Sequence, residues 1–323
     1  MKPKIDKFIL AIIAVVAFAY FVPFFVFEES PVPLDLIGSI GIFFIFFFYG
    51  LKLSPEKLRS GLKNWKLHVL VHLSTFLIFP LIVLLFYPVM NTPEGQPVWL
   101  AFFFLAALPS TVSSSVVMVS MAKGNVTAAI FNATISGFIG IIITPLWMGL
   151  FLIQETNDLN LADTYIKLIT EILLPVIIGM LLQRYLGKYP VKYQKQLSVF
   201  DKSVVLLIIY KSFAESFRDK VFSSVNFGDL LLIIFAVAIL FLIMYYLIRW
   251  TAVKLQFNKQ DMITAQFCGT KKSLVHGTVF SKILFPASYS LGLVLLPLML
   301  FHAFQTFVIS IIASRLARIT LDE

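Results

Sequence analysis

The chain is nearly without thiols and poor in charge. One cysteine, Cys268, stands among 323 residues, so an intramolecular disulfide is excluded. Charged residues make up 13%, where a soluble domain carries about a quarter. That shortage excludes an ordinary soluble domain. What is abundant is apolar: 59% hydrophobic residues, 34 Phe and a mean hydropathy of +0.92. The chain therefore reads as an integral membrane protein. Its net charge of +9 does not point to nucleic acid, because the basic residues fall between apolar runs as flanking charge.

Ten apolar runs each approach the roughly 20 residues that cross a bilayer. Their cores are Phe8–Phe27, Leu34–Leu51, Leu67–Met90, Val98–Ser120, Val126–Ile153, Tyr165–Leu186, Leu197–Phe213, Phe227–Trp250, Met262–Phe285 and Leu291–Leu316. The first is too long for a signal-peptide core and no small-residue cleavage site follows, so it is expected to be a span. Connectors alternate between acidic or uncharged (FEESPVPLD, NTPEGQP, QETNDLNLAD) and basic (LKLSPEKLRSGLKNWK, QRYLGKYPVKYQKQ, RWTAVKLQFNKQ). With both termini on the basic side, that side holds 18 of the 26 Lys and Arg and the other holds 3. The positive-inside rule then makes both termini cytoplasmic, in a cell (plasma or inner) membrane. The basic stretch Lys52–Lys66 is expected to lie on anionic lipid, or to face a protein partner.

The pattern repeats. The first run starts near Phe8 and the sixth near Tyr165, and spans two, three and five have counterparts in seven, eight and ten. Five spans per half is odd, so the halves must be inverted: repeat one over about 8–153, repeat two over about 165–316. Inverted repeats with broken helices at corresponding places mark secondary transporters with a midplane site. Span four breaks at Pro109, which removes a backbone donor, and is followed by Ser110, Thr111, Ser113, Ser114 and Ser115. Span nine breaks at Cys268-Gly269-Thr270-Lys271-Lys272-Ser273. Unwound backbone is tolerated at this depth only inside protein or beside a watery cavity.

Crossing breaks would bring four half-helix ends together. The N-terminal ends suit an anion and the C-terminal carbonyls a cation. Lys271 and Lys272 are costly at mid-membrane, roughly 2.5–3.5 kcal/mol each on insertion scales, and so mark a functional site. One ammonium would sit on the carbonyls while the other faces the cavity and an anionic solute. Ser273 is the expected N-cap of the second half-helix. His276 shares a face with Lys272, and Gln305 shares one with His302 in span ten. Asn132 and Thr134 in span five are placed to hydrogen-bond the span-four break. His68 and His72 have the i,i+4 spacing of metal ligands, but no third ligand accompanies them, and no metal is expected. An enzyme would need a nucleophile with an oriented base. Cys268 and His276 do not supply one, so no catalytic residue is assigned.

The segments PSTVSSSVVMVSMAKGNVTAAIFNATISGFIGIIITP and QFCGTKKSLVHGTVFSKILF resemble the two crossover regions of the bile acid:sodium symporter superfamily, most closely its divergent SBF-like branch. The resemblance implies an all-α membrane protein of ten transmembrane helices with helices four and nine broken and crossing. It implies a core domain within 67–153 and 227–316, and a panel domain within 8–51 and 165–213. Sodium-coupled members carry a Ser-Asn pair that falls here on Ser115 and Val116. They carry an acid and a glutamine that fall here on Phe267 and Lys271. The acid shared by both sodium sites is thus missing.

The resulting expectation is a secondary transporter of an organic, anionic solute, working by alternating access. Ser113, Ser114, Ser115, Asn132, Thr134, Lys271, Lys272, Ser273, His276 and Gln305 would bind solute or ion, with the helix breaks at Pro109 and Gly269. Lys271 or Lys272 would replace the coupling cation. No cofactor is expected, sodium coupling is left open by the missing acid, and a titrating lysine would couple transport to protons. The alternatives are a conventional sodium symporter of the bile-acid type, or a membrane sensor that binds a ligand and signals to a protein partner without turnover.

Overall fold

In a bilayer every backbone N–H and C=O must be satisfied within the protein, which leaves helices or a closed barrel, and apolar runs near 20 residues suit helices. A computed structural model describes residues 7–26, 30–52, 64–92, 95–111, 113–152, 166, 169–220, 227–286 and 288–319. All regular structure among them is helical. Twelve helical segments carry the architecture. They are α1 (Lys7–Phe21), α2 (Leu34–Leu51), α3 (Trp65–Leu84), α4 (Gly95–Ala107), α5 (Ser113–Met121) and α6 (Val126–Leu152), then α7 (Ile169–Leu186), α8 (Gln194–Arg218), α9 (Phe227–Lys254), α10 (Lys259–Gly269), α11 (Leu274–Leu284) and α12 (Leu291–Ile319). Six of them (α2, α3, α6, α7, α9 and α12) are long and apolar enough to cross a membrane unaided, while α1 and α4 are shorter apolar helices. The chain is an all-α membrane protein. Most of the Lys52–Lys66 stretch, residues 53–63, lies outside the described residues, as does the connector at 153–165.

The segments pack as two groups. In one, α2 lies against α7 and α8, and α1 lies against α8. In the other, α12 packs on α4, α5, α9 and α11, while α10 packs on α3, α5, α6 and α9. The segment α8 joins the groups through α11 and α12.

The α2–α7 contact shows why small residues recur at helix interfaces in lipid. Without a hydrophobic force between helices, association depends on close van der Waals approach. At Gly50 an added Cβ would overlap the Val176 carbonyl and come within 3.0 Å of the Met180 nitrogen. At Gly179 it would overlap the Phe47 carbonyl. Gly50→Val is therefore expected to lower stability by about 1–3 kcal/mol or more, the usual cost of overpacking. Thermal unfolding of the purified protein in detergent would show this.

Candidate functional site

Two helices are interrupted and their interruptions meet. The segment α4 stops at Ala107, the chain runs irregularly through Pro109, and α5 begins at Ser113. The segment α10 stops at Gly269 and α11 begins at Leu274. Each break supplies partners to the other. The Ser273 N–H donates to the Pro109 carbonyl at 2.8 Å, and the Ser110 hydroxyl donates to the Cys268 carbonyl at 2.6 Å. Two hydroxyls from α6 complete the repair: Ser136 Oγ accepts from the Ser110 N–H at 2.8 Å, and Thr144 donates to the Ala107 carbonyl at 2.7 Å. Orphan groups at helix ends buried in lipid need such partners.

The two lysines part here. Both are fully buried. Lys272 Nζ donates to the carbonyls of Ala106 (2.5 Å), Thr75 (2.7 Å) and Leu108 (2.8 Å). It also lies 4.2 Å from the centre of the Phe79 ring. An ammonium has three N–H donors, and all three are used. The acceptors follow from local structure. Ala106 and Leu108 stand at the C-terminal end of α4, where carbonyls lack helical partners and the dipole is negative. Thr75 lies in a π turn, Ser74–Ile78, within α3, and such turns cluster at functional sites. The aromatic face adds a cation–π attraction. Lys271 instead reaches α5, where its Nζ donates to Ser114 Oγ at 3.1 Å.

Gln305 of α12 holds the second break. Its Oε1 accepts from the Lys272 N–H and its Nε2 donates to the Lys272 carbonyl, each at 2.8 Å. His302 Nδ1 lies 3.2 Å from the same Nε2. Ser273 caps α11 by accepting from the His276 N–H, and its Oγ is also 2.9 Å from His276 Nδ1. The His276 ring sits among Phe46 and Tyr49 of α2 and Phe280 of α11, with centroids 5.8–6.0 Å away. The Tyr49 hydroxyl donates to the Thr134 carbonyl. His276 and Thr134 thus lie where the two packing groups face each other.

The sequence-predicted residues therefore divide. Ser114, Ser115, Lys271, Lys272, Ser273, His276 and Gln305 surround the two breaks. Ser115 Oγ contacts Thr111 Oγ1 at 2.7 Å, and Ser114 Oγ contacts it at 2.9 Å. Ser113 starts α5, but its side chain lies outside the described residues. Asn132 does not reach the span-four break. Its Oδ1 accepts from His68 Nδ1 at 3.0 Å and its Nδ2 donates to the Ala128 carbonyl at 2.9 Å. Thr134 contributes its carbonyl and not a bond to the break. Ser136 and Thr144, eight residues apart on α6, take the role expected of those two. That spacing on one helical face was the available signal. Both lysines are buried, so neither ammonium faces an open cavity in this structure.

Sequence comparison gives these positions a wider setting. The model of the SBF-like CPA transporter family matches residues 6–318. The chain is 36% identical to an uncharacterized protein of Pseudomonas aeruginosa, over 97% of this chain and 93% of that protein. It is 35% identical to the putative symporter YfeH of Escherichia coli, over 98% and 94%. It is 31% identical to sodium/bile acid cotransporter 7-A of Xenopus laevis, over 93% and 88%.

Proposed function

The chain belongs to the SBF-like CPA transporter family, and from that membership we propose that it is a secondary active transporter of an organic, anionic solute, with Lys272 in the place of a coupling cation. The helices form ten spans in two inverted repeats, with α4–α5 and α10–α11 as the broken pair. The core comprises α3 to α6 and α9 to α12; the panel comprises α1, α2, α7 and α8. The two packing groups support that division. Solute binds where they face each other, near Thr134, His276 and the crossover, and the core moves against the panel.

The observation that carries this reading is the ammonium of Lys272 on three carbonyls. Backbone carbonyls at a helix C-terminus are what a sodium ion would use in such folds. A tethered ammonium fills the same position, and at close range in a low dielectric it would repel sodium strongly. Phe267 and Lys271 stand where sodium-coupled members have an acid and a glutamine, which agrees with a site that no longer needs the ion. No catalytic role is assigned to any residue.

Purified protein in liposomes tests this. Uptake of a radiolabelled bile acid and of a panel of smaller carboxylates would be followed with sodium, with potassium, and across a proton gradient. The expected result is uptake of an anion that does not require sodium. Uptake that requires sodium and survives Lys272→Gln would return the protein to conventional sodium symport. Ligand-induced stabilisation without any turnover would make it a sensor.

A further inference from the structure

Away from the crossover, charged side chains from three helices meet beside a small cleft. Asp35 is in the first turn of α2, Lys211 is on α8 and Lys282 is in the last turn of α11. Lys211 Nζ is 2.5 Å from Asp35 Oδ1 and 3.4 Å from Glu215. Lys282 Nζ is 3.6 Å from the same Asp35 oxygen, and 3.2 Å from both the Asp35 carbonyl and Ser39 Oγ. Leu34, Leu207, Ile208 and Leu291 line the cleft beside the two lysines.

We propose that Asp35, Lys211 and Lys282 form the outer gate of the solute crevice, closed in this structure, and that Lys282 is the first cation an incoming organic anion meets when it opens. This inference rests on the transporter reading and on cytoplasmic termini, which put the first turn of α2 and the last turn of α11 at the external face. Three observations carry it. First, the Lys282–Asp35 ion pair, with the Lys282 hydrogen bonds to the Asp35 carbonyl and Ser39 Oγ, ties α2 to α11, and these helices belong to the two packing groups that must separate. Second, the contact is weak by design of its surroundings. The Asp35 side chain is 68% exposed and the Lys282 side chain 21% exposed, at a separation of 3.6 Å, and a long ion pair open to solvent on one side contributes little to stability. A contact broken in every cycle has to be of this kind. Third, the partners separate unequally. Glu215 sits on α8 with Lys211 and stays with it. Lys282 leaves with α11, away from its only carboxylate contact among the described ion pairs. It is then a bare cation six residues beyond His276, about 9 Å along the helix, at the mouth of the crevice.

Thiol labelling tests the gate without knowledge of the solute. Cys268 is fully buried, so Leu207→Cys places one accessible thiol in the cleft wall. Its reaction with a membrane-impermeant maleimide added from outside would be timed in intact cells. Asp35→Asn and Lys282→Gln, each combined with Leu207→Cys, are expected to speed labelling by about two- to fivefold, the size of shift that loss of an exposed pair allows. Asp35→Glu is expected to keep it slow, and gel filtration confirms that each variant is folded. Unchanged rates in both Asp35→Asn and Lys282→Gln, or labelling only from the cytoplasmic side, would overturn the gate. Uptake separates the two readings. A parent protein that moves no anion overturns the transporter reading whatever the labelling shows. A parent that transports but labels identically in all variants overturns the gate alone. In a transporting parent, Lys282→Gln is expected to raise the KM for the anion several-fold with little change in kcat.

Discussion

Lys272→Met is expected to destabilise the folded protein by about 3–5 kcal/mol, the range for removing one partner of a buried charged contact. Methionine matches the lysine stem in length and apolar character, so little packing is lost. What is lost is the donor for the carbonyls of Thr75, Ala106 and Leu108. Each buried acceptor left without a partner costs about 1–3 kcal/mol. They cannot turn to water, because they lie at the end of α4 and in the π turn of α3, in the protein interior. Thermal unfolding in detergent measures the loss.

The same position gives a sharper result with a smaller side chain. Lys272→Ala leaves three carbonyls around an empty space and no fixed charge. Sodium is expected to restore part of its lost stability, because a ligand that binds only the folded state stabilises it by mass action, about 2.7 kcal/mol at a hundred times its Kd. Potassium, a larger ion, serves as the control. The parent protein is expected to show no sodium effect. A parent stabilised by sodium, or a Lys272→Met variant as stable as the parent, would refute the idea that the ammonium stands in for the ion.

Asp261→Ala is expected to have an effect of comparable size, about 3–5 kcal/mol, for a reason far from the crossover. Asp261 Oδ1 accepts from Asn125 Nδ2 at 2.8 Å, and Oδ2 accepts from Asn64 Nδ2 at 2.8 Å and Asn258 Nδ2 at 2.9 Å. Each asparagine stands just before a helix: Asn64 before α3, Asn125 before α6, Asn258 before α10. Asn258 caps α10 by accepting from the Asp261 N–H, and Asn125 Oδ1 accepts from the Ala128 N–H. One carboxylate therefore ties together three helix N-termini, where the dipoles favour negative charge. Bonds to an ionised acceptor are worth about 1.5–3 kcal/mol each, and within one network they do not add fully. Asp261→Asn keeps the shape but turns an acceptor into a donor, and should cost about half as much. Asp219→Ala, at an exposed carboxylate paired with Arg218, should change stability by no more than about 0.5 kcal/mol. Equal unfolding temperatures for Asp261→Ala and Asp219→Ala would show that the cluster holds nothing together.

Membrane character and transporter family were legible in the chain before any fold was seen. Long apolar runs leave no other place for such a sequence, and the two crossover segments carry side chains specific enough to identify. The interruptions were legible too, because a proline and a Gly-Thr-Lys-Lys-Ser string disturb a helix locally. Asp261 was not singled out by its neighbours in sequence. Its partners Asn64 and Asn125 lie 197 and 136 residues away, and asparagine is common before helices in general. Nor did sequence separate Lys271 from Lys272. Adjacent residues in an unwound segment point in different directions, and that direction is set by the Gln305 amide on the Lys272 backbone. The decisive acceptors are main-chain carbonyls, freed by a helix end and a π turn 164 to 197 residues away. A backbone carbonyl carries no residue identity, so only the tertiary structure could decide which lysine it would hold.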